Sequence, residues 1–109
     1  MSDNYIQPLC ALMSFLDNKE YKTIDDDVFT EARLLKITDI DIYRYLANKA
    51  FGTPEPNKDS VPKLCRSTTI KFHKKAISHF MPRYRVAWDE IRKEGNPTKS
   101  QAVNDLIKL

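Results

Sequence analysis

Glycine is nearly missing from this chain, which has two in 109 residues, Gly52 and Gly95. A loop that cradles phosphates through its backbone needs glycines close together, so P-loop and dinucleotide-binding chemistry are excluded. Cysteine is equally scarce. Cys10 and Cys65 stand far apart beside apolar neighbours and form no CxxC pair, which predicts buried thiols and no disulfide. The two histidines, His73 and His79, are six residues apart, about 240° around a helix, so they cannot share a metal on one face. HExxH spacing is absent, and no pair of carboxylates stands beside a recognisable apolar pocket signal, so general acid-base catalysis has no basis here. No apolar run approaches the roughly 20 residues of a membrane span, and the first residues, MSDNYIQPLCALMSFLDNKE, lack the basic lead-in and small-residue cleavage site of a signal peptide. The expectation is an intracellular protein with no membrane contact, no cofactor, no metal and no evident small-molecule substrate.

What is present suits one soluble domain. Hydrophobic residues make up 41% and charged residues 30%, and 109 residues suffice for one core. The net charge of +3 is unevenly spread. Residues 1–30 hold two Lys against six Asp or Glu, residues 31–57 balance, and residues 58–109 hold twelve basic against five acidic side chains. A basic C-terminal half makes a polyanion the simplest partner, although many soluble domains are lopsided in charge and bind nothing through it.

Helical spacing dominates. Leu9, Leu12, Met13 and Leu16 follow the i, i+3, i+4, i+7 rule, with Pro8 placed near a helix start. A second helix is expected behind Asp25, Asp26 and Asp27, whose carboxylates suit a helix N-terminus, carrying Val28, Ala32 and Leu35 inward. An EF-hand reading of those aspartates fails for want of alternating ligands and a central glycine. Thr38 as N-cap, Asp41 at the box position and an Ile37–Ile42 staple open a third helix with Ile42, Leu46, Ala47 and Ala50 inward, closed by Gly52. The stretch GTPEPNKDSVPKL, with three prolines, is a long loop. A fourth helix is expected from Ser67 to Phe80 and a short fifth from Val86 to Glu94, with Trp88 in the core and Gly95 as the stop. A sixth begins after Pro97, capped by Thr98 or Ser100, with Val103, Leu106 and Ile107 inward. Its shortness, and an end at Leu109, suggest a polypeptide that continues. These elements define an all-α class: one compact bundle of five to six helices over residues 1–109.

The fourth helix is two-faced. Ile70, His73, Ala76, Ile77, Phe80 and Met81 fall on one arc, with His73 read as a core histidine; Lys71, Lys74, Lys75 and Ser78 fall on the other. No acidic residue occurs from Cys65 through Trp88. Like charges at this spacing repel by a few tenths of a kcal/mol per pair, roughly, so the lysine row is either a solvated face or a surface for phosphates. Arg66, Arg83 and Arg85 flank it, and Ser67, Thr68 and Thr69 at the helix start could reach phosphates or bases. At the abrupt turn KEGNPTKS, Lys99 with the hydroxyls of Thr98 and Ser100 could complete an anion site at a helix tip; equally, Gly95 stops one helix and Ser100 caps the next. Tyr84 between Arg83 and Arg85 is read as a surface aromatic, because one Arg-Tyr-Arg run cannot surround a phosphate.

Three blocks in order, LLKITDIDIYRYLANKAFGTPEP, RSTTIKFHKKAISHFMP and the tryptophan followed by GNPTKSQAVNDLIK, resemble the N-terminal SAM-like core-binding domain of Crypton-type eukaryotic tyrosine recombinases. The likeness spans about residues 29–109 and leaves residues 1–28 as an acidic extension with the first helix. It implies a SAM-like bundle forming half of a clamp around double-stranded DNA, in a nuclear protein of a mobile element that acts in DNA recombination. It also implies no catalysis by this chain, because the family's cutting chemistry lies in a separate C-terminal domain that would follow Leu109. The DNA-contacting set it and the charge pattern suggest is Arg66, Ser67, Thr68, Lys71, Lys74, Lys75, Arg83, Arg85, Lys99 and Ser100. The rival is a protein-interaction domain that self-associates or docks its acidic third on the basic face.

Overall fold

Helices α1 (Asp3–Asp17), α2 (Glu31–Leu35), α3 (Asp39–Phe51), α4 (Ser67–Phe80) and α5 (Gln101–Ile107), with a 3-10 turn at Pro97–Lys99, make up the computed structural model, which describes residues 3–56, 67–83 and 85–107. Among the described residues there is no strand, and the chain is an all-α bundle. Cys65, Arg66, Tyr84 and residues 57–64 of the proline loop lie outside the described residues.

The capping box expected at Thr38 is present: its hydroxyl accepts from the Asp41 N–H (3.3 Å) and the Asp41 carboxylate accepts from the Thr38 N–H (3.0 Å). At the other end of α3, Gly52 takes φ 79° and its N–H donates to the Asn48 carbonyl (2.9 Å), a left-handed stop that a side chain would resist. Between those ends Ile42, Tyr45, Leu46, Ala47 and Ala50 are buried. They meet Leu9, Leu12 and Met13 of α1, Ile70 and Ile77 of α4, and Val103 and Leu106 of α5 in one core. The most extensive contact is α1 against α4, and α3 touches α1, α4 and α5. A radius of gyration of 13.2 Å is what one packed domain of this length requires.

Three expectations need correction. Helix α1 begins at Asp3, so Pro8 is its sixth residue and lies past the first turn. An interior proline costs about 3 kcal/mol, but burying Leu9, Leu12 and Met13 returns roughly 1.5–3 kcal/mol for each side chain, and packing wins. Helix α2 starts at Glu31 behind Thr30, whose hydroxyl accepts from the Arg33 N–H, not behind the aspartates. Asp25 instead folds its carboxylate onto the Asp27 N–H and leads a turn closed by Phe29, which leaves Ala32 and Leu35 exposed and Val28 half-buried.

Residues 86–94 form turns closed by a bridge between Asp89 and Glu94, and no helix. The Asp89 carboxylate accepts from the N–H groups of Ile91 and Arg92, a local bond that competes with helical pairing. With Val86 52% and Ile91 93% exposed, no apolar stripe exists to hold a helix there, and Trp88 is half-buried. The last helix does follow Pro97 with Ser100 as its cap, accepting from the Val103 N–H (3.2 Å), and Asn96 caps a 3-10 turn ahead of it.

His73 is satisfied inside the bundle, its Nδ1 sharing a 3.0 Å hydrogen bond with the Tyr45 hydroxyl. Burial, then the charge of Lys49, pushes its pKa from 6.5 down to about 4. The unfolded chain therefore binds a proton between pH 6.5 and about 4 that the folded chain refuses, so folding free energy declines as pH falls through that window. Allowing for partial exposure, the loss should be about 2 kcal/mol. Urea unfolding at both ends of the window checks it, and His73→Gln should remove most of the difference.

Candidate nucleic-acid interface

Helix α4 turns its apolar arc onto α1 and α3, which fixes the opposite face outward beside the 3-10 turn and α5. Across that face runs an open groove of about 410 Å³ lined by Lys71, Lys74, Lys75, Ser78, Thr98, Lys99 and Ile107. Four lysines from two elements converge there. No carboxylate lines the groove, and none of the four lysines forms an ion pair among the described residues.

Lys71 and Lys75 are exposed, whereas Lys74 leans inward and donates to Asn104 Oδ1 (2.7 Å). Burial and then the charge of Lys99 pull the Lys74 pKa down, so this is a cluster whose members feel one another. Asn104 anchors the ammonium without neutralising it. An amide oxygen supplies a hydrogen bond and leaves a full positive charge for an anion.

The turn that presents Lys99 is built around Asn96, which is fully buried. Its Oδ1 accepts from the Thr98 N–H (3.0 Å) and hydroxyl (2.7 Å), and its Nδ2 donates to Ser78 Oγ on α4 (2.7 Å). The abrupt helix restart thus serves to clamp Lys99 beside the lysine row. The hydroxyls expected to join it are used inside: Thr98 on Asn96 and Ser100, 1% exposed, as the α5 cap. Ser100 is accordingly withdrawn from the contact set.

Of the other residues in that set, Thr68 is exposed on α4, while only the backbone of Ser67 is described. Arg83 lies elsewhere, in a small cavity with Leu35, Lys93, Glu94 and Gly95, where it stands 3.9 Å from Glu94. Arg85 is exposed in the following turn. Neither lines the groove, so the structure brings together Lys71, Lys74, Lys75 and Lys99 and leaves Arg83 and Arg85 apart. Sequence reading missed Asn104, thirty positions from its lysine, and took Asn96 for a turn former alone. The Asn-Pro-Thr order was the available signal, since Asn before a helical proline is a cap.

Comparison with known proteins returns no match to any family model, curated protein or solved structure.

Proposed function

We propose that this chain is a non-catalytic module that binds double-stranded DNA through its phosphates, along the groove between α4 and the 3-10 turn. The observation that carries this reading is the convergence of Lys71, Lys74, Lys75 and Lys99 on one concave surface without a lining carboxylate among the described residues. Four cations held within one groove repel each other in the free protein, and a phosphate backbone relieves that repulsion while releasing its counterions. The resemblance of the three sequence blocks to the core-binding half of a recombinase clamp points the same way and would imply a nuclear location. Thr68 and Lys71 at the exposed start of α4 are the groups positioned for base contact; phosphate contacts alone give mostly nonspecific binding.

Titration of a duplex at several salt concentrations tests the proposal. With three to four phosphates neutralised, log K should fall against log salt with a slope of about −3, and Lys99→Gln should reduce that slope by about one. A salt-independent affinity would refute phosphate binding.

A second reading, self-association, has its own support in Ile40, Val86 and Ile91, which are 52%, 52% and 93% exposed. It predicts a concentration-dependent size that Ile91→Asp abolishes, with DNA affinity unchanged.

A further inference from the structure

Beside the lysine row, on the same outward side of α4, stands a pair of aromatic rings outside the buried core, of which Phe72 also lies edge-on to the inward His73 at 6.0 Å. Phe72 is 39% exposed, and Tyr5 of α1 packs against it with ring centroids 5.8 Å apart and planes tilted by 59°. Neither ring belongs to the buried core or to the half-buried apolar side chains packed on it. His79, two turns along the same face of α4, closes the group edge-on to Tyr5 at 5.3 Å.

At 3.6 residues per turn Lys71 and Lys75 lie about 40° apart on α4, and Phe72 follows about 60° beyond Lys75. Cations and ring are therefore neighbours along one strip, not features of opposite faces. Solvation explains the exposed lysines, and Tyr5 and His73 cover part of Phe72, which leaves 39% of it open beside them. Nucleic acid supplies both complements within each nucleotide: a phosphate for the ammonium and a base for the ring. In a duplex the bases are stacked on each other and closed to a side-chain ring; in a single strand they are open to it.

We propose that Phe72, supported by Tyr5, is a stacking ledge for an unpaired base of a single-stranded nucleic acid whose phosphates lie on Lys71 and Lys75. This rests on the nucleic-acid reading above and adds a substrate form to it: single strand, overhang or opened duplex. Sequence tolerance follows, because every base has a π face.

The test is fluorescence anisotropy with the whole chain, using an oligothymidine of about 15 nucleotides and a duplex of equal length. Phe72→Ala should weaken single-strand binding about tenfold and duplex binding less than twofold; Phe72→Trp should retain the parent affinity, and Phe72→Leu should behave like Ala because it keeps apolar area without a π face. Circular dichroism confirms that each variant keeps the parent helix content. The ledge is refuted if the parent binds duplex but no single strand, if Phe72→Ala leaves single-strand affinity unchanged or lowers both affinities alike, if Phe72→Leu matches the parent, or if Phe72→Ala alters sedimentation and nothing else, which would assign the rings to a second copy of the chain. Lys71→Glu with Lys75→Glu separates the two levels. Should that pair leave both affinities intact, nucleic-acid binding by this face fails altogether, whereas a loss of both with an unaffected Phe72→Ala removes the ledge alone.

Discussion

Replacing Lys71, Lys74 and Lys75 together by Glu is expected to lower duplex affinity at least a hundredfold near physiological salt, roughly, while the helical signal stays in place. Each neutralised phosphate contributes about 1 kcal/mol at that ionic strength through counterion release, so three lost contacts alone give close to that factor, and three new negative charges add repulsion. Stability should change little. Lys71 and Lys75 are exposed and have no ion partner among the described residues, so nothing in the fold depends on their charge. Lys74 is the exception, since Lys74→Glu deletes its bond to Asn104. It also ends the repulsion from Lys99, which adds to burial in depressing the Lys74 pKa, and the two effects oppose each other. Filter binding or anisotropy with a duplex, beside a thermal melt of the same variant, separates lost affinity from lost fold.

Gly95→Ala should have the largest effect on stability, about 3 kcal/mol, with a fall in Tm of about 10 °C or more. Gly95 has φ 105°, a region side chains avoid, and a Cβ there would clash with the Ala87 carbonyl oxygen and sit 3.0 Å from its carbon. Both are backbone atoms, so no rotamer change relieves the clash. The same approach of chain segments lets the Asn96 N–H donate to the Val86 carbonyl (3.0 Å), which seats Asn96 and through it the turn bearing Lys99. Gly52→Ala makes a useful contrast. It also alters a left-handed glycine, but at an exposed helix end, and should cost about 1 kcal/mol. A denaturant melt of both variants checks the ranking.

Where a sequence signal was local and backed by burial, it translated directly into structure. The boundaries of α4, the Thr38 cap and the Gly52 stop each depend on neighbours within about one turn. Signals failed where two local preferences compete and packing decides between them. The 86–94 segment has helix-compatible residues, yet Asp89 offers a turn and no core lies beneath Val86 and Ile91 to favour the helix. In the same way Asp25 used its carboxylate to make a turn that a simple helix-dipole argument overlooks.

The candidate site divides along similar lines. That Lys71, Lys74, Lys75 and Ser78 share a face follows from helical spacing alone. That Lys99 joins them depends on Asn96 reaching Ser78 across 18 positions, which no spacing rule contains. Hydroxyls at the turn left two roles open in the sequence, since the same hydroxyl can accept as a helix cap or donate to an anion, and burial distinguishes the two.

The most direct test of the central claim is an amide chemical-shift titration of the labelled protein with duplex DNA. The lysine groove predicts that shifts concentrate at Lys71, Lys75, Ser78, Lys99 and Asn104. Shifts confined to Arg44, Lys49 or the 19–27 loop, or spread evenly over the surface, would contradict it.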